Sequence, residues 1–103
     1  ENVAMAEVIW TETALQSLDE IADYIALDEY DAACRFVRKV FDKVDLLQEN
    51  PGIGTAPREL NGTPYRRLVI KPVYVYYRVE GQSVVIVFVD RNERELSISR
   101  FAR

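Results

Sequence analysis

The stretch from Pro64 to Arg91, PYRRLVIKPVYVYYRVEGQSVVIVFVDR, constrains the fold more than any other. Three apolar-rich runs are separated only by Lys71-Pro72 and by Glu80-Gly81-Gln82. Interruptions this short allow a tight turn and nothing longer, so the runs read as three consecutive antiparallel strands. Tyr65–Ile70 is the first. Val73–Val79 alternates, with Val73, Val75, Tyr77 and Val79 on one face and Tyr74, Tyr76 and Arg78 on the other. Ser83–Val89 is apolar at nearly every position, the mark of a central strand covered on both sides.

The first half of the chain has a helical period. Glu7–Trp10 (EVIW) is a short apolar run that suits a strand. Thr11 or Thr13 then caps a helix, and Thr13-x-x-Gln16 fits a capping box. Leu15, Leu18, Ala22 and Ile25 mark its apolar face, with Asp19, Glu20 and Asp23 opposite. LDEYD breaks the pattern, and Asp31 is a candidate cap for a second helix. There Ala33, Phe36, Val37, Val40, Phe41, Val44 and Leu47 form the stripe, and Asn50-Pro51-Gly52 ends it. The two helices are expected to form an antiparallel hairpin whose stripes face the core. Residues 50–63 follow as a loop rich in Gly and Pro.

The order is strand, helix, helix, three strands. This predicts an α+β domain: an antiparallel sheet in β-α-α-β-β-β order, with the hairpin on one face. The tail, DRNERELSISRFAR, suits a short C-terminal helix, although LSIS also fits a strand. One domain is expected across residues 1–103. Met5 reads as the natural start, with residues 1–4 foreign or disordered.

Composition removes several chemistries. Histidine is absent, so a His general base, a Ser-His-Asp triad and a His-ligated metal are excluded. Cys34 is the single cysteine; it makes no intrachain disulfide or zinc site and reads as an inert small apolar residue. No phosphate-binding glycine loop is present. Neither cofactor nor metal is expected. No apolar run approaches a membrane span of about 20 residues, and a cytoplasmic location is expected.

The net charge of −4 conceals a division. Residues 1–50 carry 4 Lys/Arg against 12 Asp/Glu, and residues 51–103 carry 9 against 5. A basic face on an acidic body is one explanation; ordinary use of Arg on the outer face of a sheet is the other.

Three segments go beyond these general readings: EVIWTETALQSLDEIADYIA, LLQENPGIGTAPREL and PYRRLVIKPVYVYYRVEGQSVVIVFVDRNEREL. In order and spacing they resemble the opening strand and acidic helix, the "L…P..G....EL" bridge and the arginine-tyrosine hairpin of RelE/ParE superfamily toxins. These belong to bacterial toxin–antitoxin modules. The superfamily holds ribosome-dependent mRNA endonucleases of the RelE type and DNA gyrase inhibitors of the ParE type, and a shared fold does not choose between them. RNA cleavage needs a base for the 2′-hydroxyl, cations for the phosphate and an acid for the leaving oxygen. This chain has no histidine and no tyrosine after Tyr77, and Val75 stands where the nucleases place an arginine. An acidic protein is also a poor match for the ribosome's phosphate surface. These departures, with the ERELSIS ending, resemble the ParE-like branch.

The resemblance implies a ParD-like antitoxin as partner, a hetero-oligomer with it, and DNA gyrase as target, without specific nucleic-acid binding. A nuclease and an inactive binding relative stand as the alternatives. The residues it singles out for partner contact are Arg66, Tyr74, Tyr76, Arg78, Arg91 and Arg94. Structural roles compete at each: Arg91 and Arg94 pairing with Glu93 or Glu95, Arg66 and Arg78 pairing with acidic helix residues, and the tyrosines covering the sheet. Trp10 reads as core.

Overall fold

A computed structural model describes residues 5–91 of the chain. The elements are β1 (Glu7–Trp10), α1 (Glu12–Ala26), α2 (Tyr30–Asp45), β2 (Tyr65–Ile70), β3 (Val73–Glu80) and β4 (Ser83–Arg91), with one-turn 3-10 helices at Leu46–Gln48 and Arg58–Leu60. The four strands form one sheet in the order β1-β4-β3-β2.

The sheet is mixed, which corrects the expected antiparallel arrangement. β2, β3 and β4 form the antiparallel meander, but β1 runs parallel to β4. The reason lies in the helices. α1 carries the chain onward past the short β1: the Ser17 hydroxyl accepts from the Val89 amide at 2.9 Å, and Tyr24 lies under Arg91 at the far end of β4. α2 brings the chain back to where β1 began, and the Gln48 carbonyl accepts from the Ala6 amide at 2.8 Å. β2 therefore starts at the same end as β1. Two reversals later β4 points the same way.

Of the two helix starts, α1 takes the first of its two expected caps and α2 departs from the expected one. Thr11, not Thr13, caps α1: its hydroxyl accepts from the Ala14 amide at 3.1 Å and donates to the Ile86 carbonyl at 2.8 Å. The cap fixes the helix to the central strand as well as satisfying an end amide. Ala14, Leu18 and Ala22 then face the core, while Leu15 is 43% exposed. Glu29, not Asp31, stands at the N-cap of α2, without a side-chain bond. The expected stripe of α2 holds: Ala33, Phe36, Val40, Val44 and Leu47 are buried, and Val37 and Phe41 are partly so. Trp10 packs into the same core, 4.8 Å from Phe41 between ring centroids. Burial of each Leu or Val here is worth about 1.5–3 kcal/mol.

β4 is apolar throughout for two reasons. It lies between β1 and β3, and it carries a bulge. Tyr76 pairs with Phe88 and Tyr77 with Ile86, so Val87 is an extra residue. Val84, Ile86 and Val89 face the helices. Val87 and Phe88 both join a second cluster, with Leu60, Tyr65, Tyr74 and Tyr76, on the other face of the sheet. The expected C-terminal helix falls outside the described residues.

Candidate functional site

Strand parity decides which cations share a face. Register pairs Tyr65 with Arg78, Arg67 with Tyr76, and Tyr74 with Asp90. These six form the outer face, away from the helices. Arg66 pairs with Tyr77 and lies on the helix side.

Arg66 is held by the loop before β2. Its Nη2 donates to the Gly52 carbonyl at 3.1 Å and to the Gly54 carbonyl at 2.5 Å. Tyr77, fully buried, grips the same loop: its hydroxyl donates to the Pro51 carbonyl at 2.8 Å and accepts from the Gly54 amide at 2.9 Å. Gly54 is required by this close approach, since a Cβ there would come within 2.6 Å of the Tyr77 hydroxyl. Thr55 then bridges to the backbone of Arg67 on β2 with two bonds, 2.8 and 2.7 Å. The NPGIGT segment is thus stapled to the sheet, and Arg66 belongs to the staple.

On the outer face, Arg67 lies over the Tyr74 ring, 4.0 Å from its centroid, and hydrogen-bonds Tyr76. Tyr76 lies on the outer face as expected but is only 1% exposed, so it covers the sheet, the structural alternative to partner contact. Burial pushes its hydroxyl above the ordinary tyrosine pKa; the bond to Arg67 opposes this. Arg78 bonds to Glu80, which raises the arginine's pKa and holds it charged. Arg91 turns to the helix side, 4.4 Å from the Tyr24 ring centroid, in a small hollow with Ile21, Ile25 and Pro72. Arg94 lies outside the described residues. Of the six residues singled out, the structure brings Tyr74, Tyr76 and Arg78 together, and Arg67 joins them. Alternation from Leu68 and Ile70, its apolar neighbours on β2, is the signal that separates Arg67 from Arg66.

A second surface lies on the helical hairpin. The small residues Ala22, Ala26, Ala33 and Cys34 leave a groove of about 530 Å³, floored further by Val37 and Phe41. Asp23, Tyr30, Arg38 and Asp42 line its sides. Cys34 is exposed there. Tyr24, Leu27 and Tyr30 are also exposed around the helix turn. Among the described residues no cluster of three His, Cys, Asp or Glu could hold a metal, and no helix is long and apolar enough to cross a membrane.

Residues 8–96 match the family described as the ParE toxin of the type II toxin–antitoxin system parDE. A Sinorhizobium fredii protein described as "Putative toxin Y4kP" is 33% identical over 85 residues, covering 82% of this chain and 88% of that one. Toxin RelE2 of Caulobacter vibrioides is 38% identical over 79 residues, covering 75% and 85%. Among solved structures, the chromosomal ParDE system of P. aeruginosa superposes with a TM-score of 0.72 at 29% identity, covering 86% of this chain and 98% of that one. The RelBE2 toxin–antitoxin complex of Mycobacterium tuberculosis has the same fold, with a TM-score of 0.57 at 23% identity and coverage of 84% and 98%. The chain belongs to the ParE toxin family, within the ParE/RelE toxins of type II toxin–antitoxin systems.

Proposed function

We propose that this toxin acts by protein–protein contact, as a ParE-like inhibitor of DNA gyrase, and that a cognate antitoxin neutralises it. The observation that carries the reading is the use made of the tyrosines. The chain has no histidine, so tyrosine hydroxyls are the first candidates for proton transfer. Tyr77 commits its hydroxyl to the loop before β2, and Tyr76 is buried with its proton held. The match to the ParE family over residues 8–96 supports the same direction.

Shape supports the helical hairpin as the antitoxin's landing site. The hairpin groove is apolar, open and bordered by charge, which suits the apolar face of an amphipathic helix. An acidic partner segment that folds on binding fits the cations beside it, Arg38 on the groove wall and Arg35, Lys39 and Lys43 next to it on α2.

One observation favours a RelE-like ribonuclease as the second reading. Arg67 stacked on Tyr74, with Arg78 on the same face, would seat a phosphate and a base, and the 38% relative bears the name RelE2. A paired assay separates the two. Purified toxin should inhibit gyrase supercoiling of plasmid DNA and leave ribosome-bound mRNA intact. Ribosome-dependent mRNA cleavage without effect on gyrase would reverse the assignment, and inactivity in both would point to a binding relative.

A further inference from the structure

The hairpin carries its charges unequally. α1 contains Glu12, Asp19, Glu20 and Asp23 and no Lys or Arg. α2 contains Arg35, Arg38, Lys39 and Lys43, the only cations in residues 1–50. The groove lies between them. Asp23 lines it from α1, while Arg38 and Asp42 line it from α2. Arg38 and Asp42 also border an adjoining hollow with Arg35, Lys39 and Lys43.

Two cations of this set are already engaged. Arg35 pairs with Glu29 at 3.7 Å, and the Lys39 ammonium donates to the Lys71 carbonyl at 2.9 Å. The side chains of Arg38 and Asp23 make no hydrogen bond or ion pair among the described residues, and both stand at the groove. The α2 wall from Tyr30 to Asp42 is about 18 Å long, room for about three helical turns.

A helix lying in such a groove puts its apolar stripe down and its two flanks against the two walls. Turning it end for end exchanges the flanks. Apolar contacts distinguish the two directions weakly. An acid on one wall, Asp23, set against a cation on the other, Arg38, distinguishes them strongly, because one direction pairs unlike charges and the other opposes like ones. Asp42, one turn beyond Arg38, changes the sign along the α2 wall and so sets register as well as direction.

We infer that the groove selects the direction of the helix it receives, and that Arg38 and Asp23 are the residues that select it. The matching occupant is an amphipathic helix with a carboxylate over Arg38 and a cation or neutral residue over Asp23. This rests on the proposal that the groove receives a partner helix.

The test uses two synthetic amphipathic peptides of one composition and one apolar stripe. One carries Glu on the first flank and Lys on the second; the other has the flanks exchanged. Each bears a nitroxide at its N-terminus, and amide broadening is read on the full chain. The two peptides should bind in opposite directions, one broadening amides near Tyr30 and the other amides near Asp42. Arg38→Glu combined with Asp23→Lys should reverse both assignments, while Arg38→Glu alone should weaken each peptide about tenfold. Binding in one common direction, or unchanged affinity in Arg38→Glu, would overturn the inference and leave the groove as a helix site. Failure of both peptides to bind would overturn the groove reading with it. A concentration-dependent dimer abolished by Arg38→Glu would place a second copy of the chain in the groove, which also overturns the inference.

Discussion

Replacing Tyr77 by Phe tests whether the loop staple sustains the fold. The substitution keeps the ring in the core and removes one oxygen. That oxygen donates to the Pro51 carbonyl at 2.8 Å and accepts from the Gly54 amide at 2.9 Å. The Gly54 amide then loses its partner beside a fully buried side chain. A net hydrogen bond is worth about 0.5–1.5 kcal/mol, and a stranded buried donor costs about 1–3 kcal/mol. A loss of about 2–3 kcal/mol follows, since some water enters beside the loop. For a domain of this length, 1 kcal/mol corresponds to roughly 4–8 °C in Tm, so a fall of about 8 °C or more is expected. Urea unfolding should show a lower midpoint at unchanged slope. Gly54→Ala gives an independent measure, because its Cβ would come 2.6 Å from the Tyr77 hydroxyl and 2.8 Å from the Arg67 carbonyl. In the double mutant the hydroxyl clash disappears and the carbonyl clash remains, so the combined loss should be smaller than the two single losses together. A Tyr77→Phe protein within about 0.5 kcal/mol of wild type would refute the staple, because ordinary surface changes have that size.

Other parts of the structure carry equally direct expectations. Thr11→Val removes the α1 cap and the bond to Ile86, and chemical denaturation should register a loss of about 1–2 kcal/mol. Tyr76 has a raised pKa in the fold, so its contribution is complete below the unfolded tyrosine value of about 10 and is lost as pH rises past it through the folded value. The urea midpoint should therefore fall above pH 10, and less steeply in Tyr76→Phe. Arg91→Ala should lower stability by about 0.5–1 kcal/mol through loss of the contact with Tyr24, and Tyr24→Ala should abolish that difference in a double-mutant cycle. Arg94→Ala, measured by growth inhibition and melting together, should lose toxicity while melting near wild type.

The elements were legible because their periods are clean. Two helical stripes, two short turns and an uninterrupted apolar run allow few alternatives. What escaped depends on contacts between distant residues. Thr11 and Thr13 are equivalent as local caps, and only the Ile86 carbonyl, 75 residues away, favours Thr11. Packing against the sheet likewise buries Ala14 and leaves Leu15 exposed, a choice that the apolar pattern alone does not make. The direction of β1 depends on where α2 ends, which no local pattern encodes. The bulge at Val87 was hidden because every neighbouring residue is apolar, so a change of parity leaves no trace in composition. On β2 the trace was present: Leu68 and Ile70 fix the inner face, and alternation then places Arg66 inside and Arg67 outside.

That parity changes how the charge division should be understood. The second half of the chain holds the cations, but several of them serve the fold. Arg66 bonds loop carbonyls, Arg91 lies on Tyr24 and Arg78 bonds Glu80. A basic half is therefore not the same as a basic landing site. The helical hairpin shows the converse. It belongs to the acidic half of the chain, yet its second helix carries four cations, of which Arg38 lines an apolar groove and the other three share the hollow beside it. Arg38 is the one that lines the groove without an internal partner among the described residues. Charge available for recognition is set by which side chains the fold leaves unpaired beside apolar surface. By that measure, mutation of Arg38 should affect antitoxin binding more than mutation of Arg66, although Arg66 lies in the more basic segment.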